Sequence, residues 1–415
     1  MPRIDIITEL QSSAQFPRLK KKKILLCVTG SVAAYRVVDL ARSLVRHGAD
    51  VFVMLSQDAS KLIGAYTFEW ATGNPVISDI TGNIEHVLYA GEHKKHVDLL
   101  ILAPASANSI GKIANGISDS SISLTVMVAL GNNIPVIIVP CMHAPMYKNF
   151  AVQENLKKLE KYPLITILMP RLSEGKAKIP TNEITLHYII RVLTTQDLNN
   201  RSVLISGGAT KESIDPVRFI TNPSSGKTGF WLALEAWYRG ADVSLVLGES
   251  KDFKLPFPII KASSTQDMFE AIANQLNLKE FDIAILSAAV ADYTPVKKDE
   301  GKIRSGKEKL VLELIPTKKI LKEIKNLSPD VILVGYKAEH QTTVEELKRI
   351  FSRYQETSKI DFLVANDISE KESGFAGDEN HIWIFGDNNL VEFSASKEEL
   401  ANKIFTFIIK EKLTK

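Results

Sequence analysis

The sequence predicts an α/β protein built from two doubly wound, Rossmann-like domains. Three observations carry that expectation. The 415 residues exceed what one ordinary core accommodates. Short apolar runs alternate with segments of helical spacing in both halves, and the runs lack the strict alternation of half-exposed strands, as in parallel strands covered on both faces. A glycine- and hydroxyl-rich segment follows the first run of each half, where such a sheet binds its ligands.

The run at 24–29 opens the first half. A helix is expected over 33–47, with Val37, Leu40, Ala41, Leu44 and Val45 on one face and Gly48 as its stop. Strands are expected at 51–55, 99–103, 136–139 and 164–168. The pattern restarts at 203–205 and continues at 243–246, 283–286, 331–334, 362–364 and 381–385, with a closing helix over 398–413. The polar run from Thr194 to Arg201 separates domains 1–192 and 193–415. The strand-end motifs differ, so the halves read as unrelated sheets and not as a duplication.

Composition narrows the function. A net charge of +3 gives no whole-molecule case for nucleic acid. The two cysteines, Cys27 and Cys141, lie in apolar strand contexts, which favours a reducing cytoplasm over a disulfide scaffold. No apolar run reaches the roughly 18 residues of a membrane helix. Lys20 to Lys23 lead straight into the first strand without a cleavage pattern, so they read as its solvated start and not as a signal peptide. The expectation is a cytoplasmic protein of small-molecule ligands, with neither nucleic acid nor membrane as partner.

Three strand ends of the first half carry unusual polar groups. They are Thr29-Gly30-Ser31, then Pro104-Ala105-Ser106-Ala107-Asn108, then Pro140-Cys141-Met142-His143-Ala144-Pro145-Met146-Tyr147. A parallel sheet brings them to one edge. The Ser31 and Ser106 hydroxyls suit phosphate, and Met142 and Met146 suit the face of a flat ring. A plainer reading makes Ser106 and Asn108 caps of a helix over 109–117; the convergence of three loops favours a ligand.

These segments resemble the flavin-dependent cysteine decarboxylases, specifically the decarboxylase half of the bifunctional phosphopantothenoylcysteine decarboxylase/phosphopantothenate–cysteine ligases of coenzyme A biosynthesis. Thr-Gly-Ser-x-Ala-Ala-Tyr and Pro-Ala-Ser-Ala-Asn-Ser carry the likeness, over about residues 22–180. It implies a flavodoxin-like flavoprotein domain with FMN held by Gly30, Ser31, Val32 and Ser56, by Ser106, Ala107 and Asn108, and by Met142. His86, in Ile84-Glu85-His86-Val87-Leu88, matches the family's catalytic histidine, although a lone histidine near a strand end is usually structural. In the family, oxidation of the substrate thiol to a thioaldehyde stabilises the carbanion left by CO2, and the histidine assists. His143 stands where the family has an asparagine that contacts the substrate carboxylate. The lid segment Ser173-Glu174-Gly175-Lys176-Ala177-Lys178-Ile179-Pro180 resembles the archaeal version and has no cysteine. Lys176, Lys178 and Cys141 remain open as proton donors, with Cys141 read as a buried core thiol.

In the second half, Ser206-Gly207-Gly208-Ala209-Thr210 and Asp215-Pro216-Val217-Arg218 precede Asn222-Pro223-Ser224-Ser225-Gly226-Lys227, where a helix over 230–238 starts. Small groups at a helix start, with Lys227 and Arg218 nearby, suit phosphate. The spacing is not that of a Walker A loop. Ser287-Ala288-Ala289-Val290-Ala291-Asp292 and Gly335-Tyr336-Lys337 end two further strands, and Lys302 lies in a glycine-flanked loop that reads as a mobile lid. These motifs, with Ala365-Asn366-Asp367-Ile368, resemble the phosphopantothenate–cysteine ligase half over about residues 200–415. The likeness implies CTP as substrate, Mg2+ on its phosphates and an acyl-cytidylate intermediate. Asn222 would stabilise that step and Arg218 would contact substrate phosphate or carboxylate. Ser287, Ala288, Ala289, Asp292, Lys302, Tyr336, Lys337 and Lys359 would bind nucleotide. Homo-oligomers are implied as well: decarboxylase trimers and ligase dimers in a dodecamer, with FMN between subunits.

The two motif sets correspond to consecutive steps of one pathway, so a bifunctional enzyme is the leading expectation. The alternatives are a flavin prenyltransferase, an FMN-binding regulator with an inactive flavin domain, and a dinucleotide dehydrogenase. The last lacks Gly-x-Gly-x-x-Gly at either first helix.

Overall fold

Five consecutive buried residues, Ile24 to Val28, make β1 (Lys23–Val28) the centre of the first sheet. Leu25 and Cys27 join one core cluster, with Leu100, Leu102, Val136 and Ile138. Ile24, Leu26 and Val28 are equally buried between them. Side chains alternate across a strand, so this sheet is covered on both faces. In the computed structural model, which describes residues 3–11, 13–306, 309–367, 369, 377–387 and 389–413, the chain forms two compact units, Met1–Leu193 and Thr194–Lys415.

The first unit continues with β2 (Asp50–Leu55), β3 (Val76–Ile77), β4 (Leu99–Ala105), β5 (Val136–Pro140), β6 (Met142–His143), β7 (Ile165–Ile167), β8 (Arg171–Ser173) and β9 (Lys176–Lys178). Its main sheet has the order β3-β2-β1-β4-β5-β7, parallel throughout. That winding is the dinucleotide-binding one and refines the flavodoxin-like expectation, because β3 lies outside β2 and not between β1 and β4. Helix Ala34–Arg46 buries Val37, Leu40, Ala41, Leu44 and Val45 as its spacing predicts, and Gly48 follows it at φ +92°. The lid segment folds as a small antiparallel sheet, β6-β9-β8, with His143 opposite Lys176.

The second unit contains β10 (Ser202–Gly207), β11 (Lys211–Ser213), β12 (Phe219–Thr221), β13 (Asp242–Leu247), β14 (Ile259–Lys261), β15 (Ile283–Leu286), β16 (Tyr293–Pro295), β17 (Leu314–Pro316), β18 (Ile332–Glu339), β19 (Phe362–Asp367), β20 (Glu379–Phe385) and β21 (Leu390–Ser396). Its large sheet runs β14-β13-β10-β15-β18-β19-β20-β21. The first six strands are parallel and the last two antiparallel. Val203 and Ile205 face one core while Leu204 faces the other. Both sheets therefore share one winding, with the third strand outside the second and the fourth beside the first. The expectation of unrelated sheets holds for the strand-end motifs and fails for the topology. The closing helix is Lys397–Ile408, prolonged by a π-helical turn over Ile409–Leu413.

One buried ionic cluster clamps that helix. Arg239 donates to Glu235 (2.7 Å), Asp197 (3.1 Å), the Asn402 carbonyl (3.1 Å) and Thr406 (2.6 Å). Glu235 and Arg239 are both buried. Removing the guanidinium leaves a buried carboxylate without its counter-charge, so Arg239→Met is expected to lower the stability of the second unit by about 3–5 kcal/mol. Adding Glu235→Leu should recover much of that loss. Denaturant unfolding of the single and double variants checks both.

Candidate functional sites

The first site is organised by Thr29, fully buried at the end of β1. Its hydroxyl donates to the Pro104 carbonyl (2.6 Å) and accepts from the Ser106 N–H (3.0 Å), and its own N–H reaches Pro104 (3.3 Å). The β1 and β4 loops are thereby locked together. The Cys141 N–H donates to the Ala105 carbonyl (3.0 Å) and brings in the third loop. Around this junction lies a cleft in two lobes, of about 500 and 680 Å3, which share Gly30, Ser106, Ala107 and Met146. These volumes lie in the range of small-molecule sites.

The larger lobe is polar. Ser56, Ser106 and Ser120 line it, and each caps the helix that begins beside it, accepting from Ala59, Ser109 and Ser123 respectively. Capping and lining thus coincide at Ser106, whose helix is Ala107–Ala114 and not 109–117; Asn108 lines the lobe from the first turn. Three helix starts aimed at one space suit an anion. A Cβ on Gly30 would stand 2.6 Å from Asp58 Cβ, so only glycine fits between that wall and the cleft. The smaller lobe is more apolar: Val32, Met142, Met146 and Ile179 line it with Ser31, His143, Lys176 and Lys178. The two lobes offer what a phosphorylated flat ring needs.

Three expectations change here. Cys141 is half-exposed on the cleft wall, 3.8 Å from the Ser31 hydroxyl, and is not a core thiol, because β5 ends at Pro140. Cys27 is the buried one, and burial pushes its thiol pKa up. Lys178 is held by Glu174 at 2.7 Å. His86 lies in the first turn of helix Glu85–Ala90 and not at a strand end; its Nδ1 is buried without a hydrogen-bond partner, and it is not among the residues lining either lobe.

The second site forms where helix Lys227–Tyr238 meets the end of β10. A Cβ on Gly229 would lie 2.7 Å from Gly207 Cα, so the helix start sits directly on the strand. A cavity of about 450 Å3 opens there, adjoining one of about 170 Å3. Asn222, Ser224, Lys227, Ser287, Ala288 and Ala289 line the larger, with Lys337. Asp292 and Tyr336 line both. Asn222 donates to the Ala289 (3.3 Å) and Val290 (3.2 Å) carbonyls, which joins its loop to the β15 end. Asp292 is ion-paired with Lys319, and Lys337 with Glu339 at 3.1 Å.

Arg218, Lys302 and Lys359 are not among the residues lining these cavities. The Arg218 guanidinium donates to Asp215 (2.6 Å) and to the Ile303 carbonyl (3.0 Å). The Ile303 N–H also donates to Asp215 (3.1 Å), so the loop of Lys302 is latched where a free lid was expected. Lys302 itself is exposed. Lys359 ends helix Val344–Ser358 in the left-handed region (φ +53°), and Tyr354, one turn earlier, lines both cavities instead. Ile368 lies outside the described residues.

The sequence reading missed several lining residues. Ser120 was legible as the hydroxyl before an apolar run. Thr317, Lys318 and Lys319 follow β17, too short a strand to stand out. Lys397 is 6% exposed, at the start of the closing helix after the Ser396 cap. Among the described residues no group of three or more His, Cys, Asp or Glu side chains is placed to hold a metal, and no helix is long and apolar enough to cross a membrane.

Two family models divide the chain as the two sheets do. Residues 12–194 match the Flavoprotein model, and residues 198–412 match the DNA/pantothenate metabolism flavoprotein C-terminal domain. The Coenzyme A biosynthesis bifunctional protein CoaBC of Thermococcus kodakarensis is 42% identical over 394 residues, 95% of this chain and 96% of its own length. The chain belongs to the bifunctional coenzyme A biosynthesis family. Members named in the same way from Methanocaldococcus jannaschii and Bacillus subtilis are each 34% identical, covering 96% and 88% of this chain and 96% and 91% of their own. As a member of that family, the chain is an enzyme with both phosphopantothenate–cysteine ligase and phosphopantothenoylcysteine decarboxylase activities.

The latch at Asp215 has a pH signature. Burial alone would raise this carboxyl, but N–H donors from Val217, Arg218 and Ile303 together with the Arg218 guanidinium hold it at about 2. A depressed carboxylate stabilises the folded form fully above its unfolded value of about 4 and loses that contribution as pH falls toward 2. Hydrogen exchange at Val217, Arg218 and Ile303, corrected for intrinsic rates, should lose protection across that window. Asp215→Asn should show the same loss at pH 7.

Proposed function

We propose that residues 1–192 carry the decarboxylase, with FMN in the two-lobed cleft, and that residues 193–415 carry the ligase, with CTP and 4'-phosphopantothenate in the second pair of cavities. The observation that supports this most is that each unit has its own cavity at the carboxyl edge of its own parallel sheet, with a helix start facing it.

In the ligase cavity, the pantothenate carboxylate oxygen attacks the α-phosphorus of CTP, pyrophosphate leaves, and an acyl-cytidylate forms. The cysteine amine then attacks the acyl carbon and CMP departs with the bonding pair. Asn222 aligns the acyl group against the β15 end, and the Lys318–Lys319 segment lines the cavity that would take the triphosphate, whose charge Mg2+ would help to neutralise. Tyr336 packs against the base. Both lining and hydrogen bonding support these roles.

In the cleft of the first unit, Gly30, Ser56, Ser106 and Asn108 would hold the cofactor phosphate, and Val32, Met142 and Met146 would border the ring. When bound, FMN supplies the two-electron oxidation of the substrate thiol that makes CO2 loss possible. His143 faces the substrate carboxylate from the lid sheet. His86, with an unsatisfied buried Nδ1 outside the lining of its own cleft, serves the site of a neighbouring copy. Exposed Val32 and Tyr35 at the rim, and Tyr293, Leu314 and Ile315 on the β16–β17 hairpin, support homo-oligomers of both units. A cytoplasmic location is the reading that the two free cysteines and a thiol-bearing substrate support, since both stay reduced there.

Purified protein given 4'-phosphopantothenate, cysteine, CTP and Mg2+ should yield CMP and 4'-phosphopantetheine, followed by mass spectrometry. Absence of CMP would remove the ligase assignment. Accumulated phosphopantothenoylcysteine in FMN-loaded protein would make the first unit an inactive flavin domain. His86→Asn should lower decarboxylation about 10²–10⁴-fold with CMP release unchanged. Gly30→Val should yield protein without flavin absorbance but with ligase activity intact.

A further inference from the structure

Glu85, directly before His86, is 8% exposed and lines neither lobe of the first cleft. It opens helix Glu85–Ala90 and reaches back over the turn that precedes it. One carboxylate oxygen accepts the Thr81 N–H (2.7 Å) and the other the Thr81 hydroxyl (2.5 Å). That hydroxyl in turn accepts the Asn83 N–H (3.2 Å), and the Thr81 carbonyl accepts the Ile84 N–H (3.0 Å). Every polar group of Thr81 is thus engaged inside the turn. Burial alone would raise the Glu85 carboxyl; the Thr81 donors and, less, the charge of His86 hold it below its usual value. The clasp is therefore an anion's, and charge-assisted.

The turn it closes is strained. Ile84 lies in the left-handed region at φ +46°, which a β-branched residue rarely adopts. Its side chain is 52% exposed, so packing within the chain does not offset that strain. Strain of this kind persists where the surroundings over-determine it, and it gathers at functional sites. The flanks of the clasp say what it holds. On one side, Asp79 and Ile80 line the larger lobe of the cleft. On the other, His86 has a buried Nδ1 without a hydrogen-bond partner. The direction of the imidazole is left to its packing and to the backbone that the clasp sets.

We propose that Glu85 is a positioning residue of the decarboxylase: by clasping Thr81 it fixes the first turn of its helix, and so the imidazole of His86, relative to the cleft wall at Asp79 and Ile80. The inference rests on the reading of His86 as the histidine that assists decarboxylation. Glu85 acts through His86 and not on the substrate. A proton-transfer group must stand within hydrogen-bond reach of its target, so a loosened turn lowers the rate and leaves substrate binding nearly unchanged.

The test is a mutant cycle read on decarboxylation of supplied phosphopantothenoylcysteine. Glu85→Ala should lower kcat about ten- to a hundredfold, less than His86→Asn does, with KM within about threefold of wild type. Thr81→Val keeps the N–H and loses the hydroxyl; it should lower kcat about three- to tenfold, and Thr81→Ser should restore it. The double variant separates positioning from structure. Glu85→Ala added to His86→Asn should lower kcat by less than about twofold further, because no imidazole is left to position. A merely structural role would multiply the two losses. Flavin absorbance reports whether the first unit is intact, and CMP release whether the second is. Decarboxylation by Glu85→Ala within about twofold of wild type overturns the proposal, and so does a multiplied loss in the double variant. If Glu85→Ala does not hold flavin, Thr81→Val and its double with His86→Asn decide by the same ratio. Full decarboxylation by His86→Asn would instead refute the reading of His86, and the proposal with it.

Discussion

Both units depend on a buried threonine just beyond their first strand. Thr29 ties the β1 end to the β4 loop through Pro104 and Ser106. Thr210, fully buried, accepts from the Ala291 N–H (2.9 Å), and its carbonyl accepts from Thr221 (2.8 Å). In a parallel sheet the strand ends stop with unpaired backbone groups, and the loops that follow must be joined to one another before they can present a surface. A hydroxyl that both donates and accepts makes this join in a space too small for two separate side chains. The serines and small residues of each site stand where these joined loops leave them.

Charge then divides the labour. The first cleft sets hydroxyls and helix starts among charges of both signs: Lys176 and Lys178 on the small lid sheet and Arg36 line one lobe, and Lys112 lines the other with Asp58, Asp79 and Asp119. The second places ammonium groups in each of two adjoining cavities, with Lys319 ion-paired to Asp292 in the smaller and Lys227 ion-paired to Asp378 in the larger.

How much was legible follows from where information sits along the chain. Strands buried on both faces, such as 24–28 and 203–205, are readable because neither face needs polar residues. Glycine- and hydroxyl-rich loops are readable because few other residues allow a backbone to approach a ligand. Long-range consequences are less readable. That Arg218 would be spent on Asp215 and Ile303 depends on a contact across 85 positions. The burial of Lys397, at the start of the closing helix, depends on packing that its local sequence does not announce. Tyr354 rather than Lys359 lines the cavity because the helix runs to Ser358 before it turns. Cys141 left its expected place in the core because β5 ends one residue before it, at Pro140.

The separation of the two sites also bears on what a lesion can do. Every residue lining the first cleft belongs to the first unit, and every residue lining the second pair of cavities belongs to the second. A substitution confined to one unit therefore removes no lining side chain from the other. One chain thus carries two sites whose walls can fail separately.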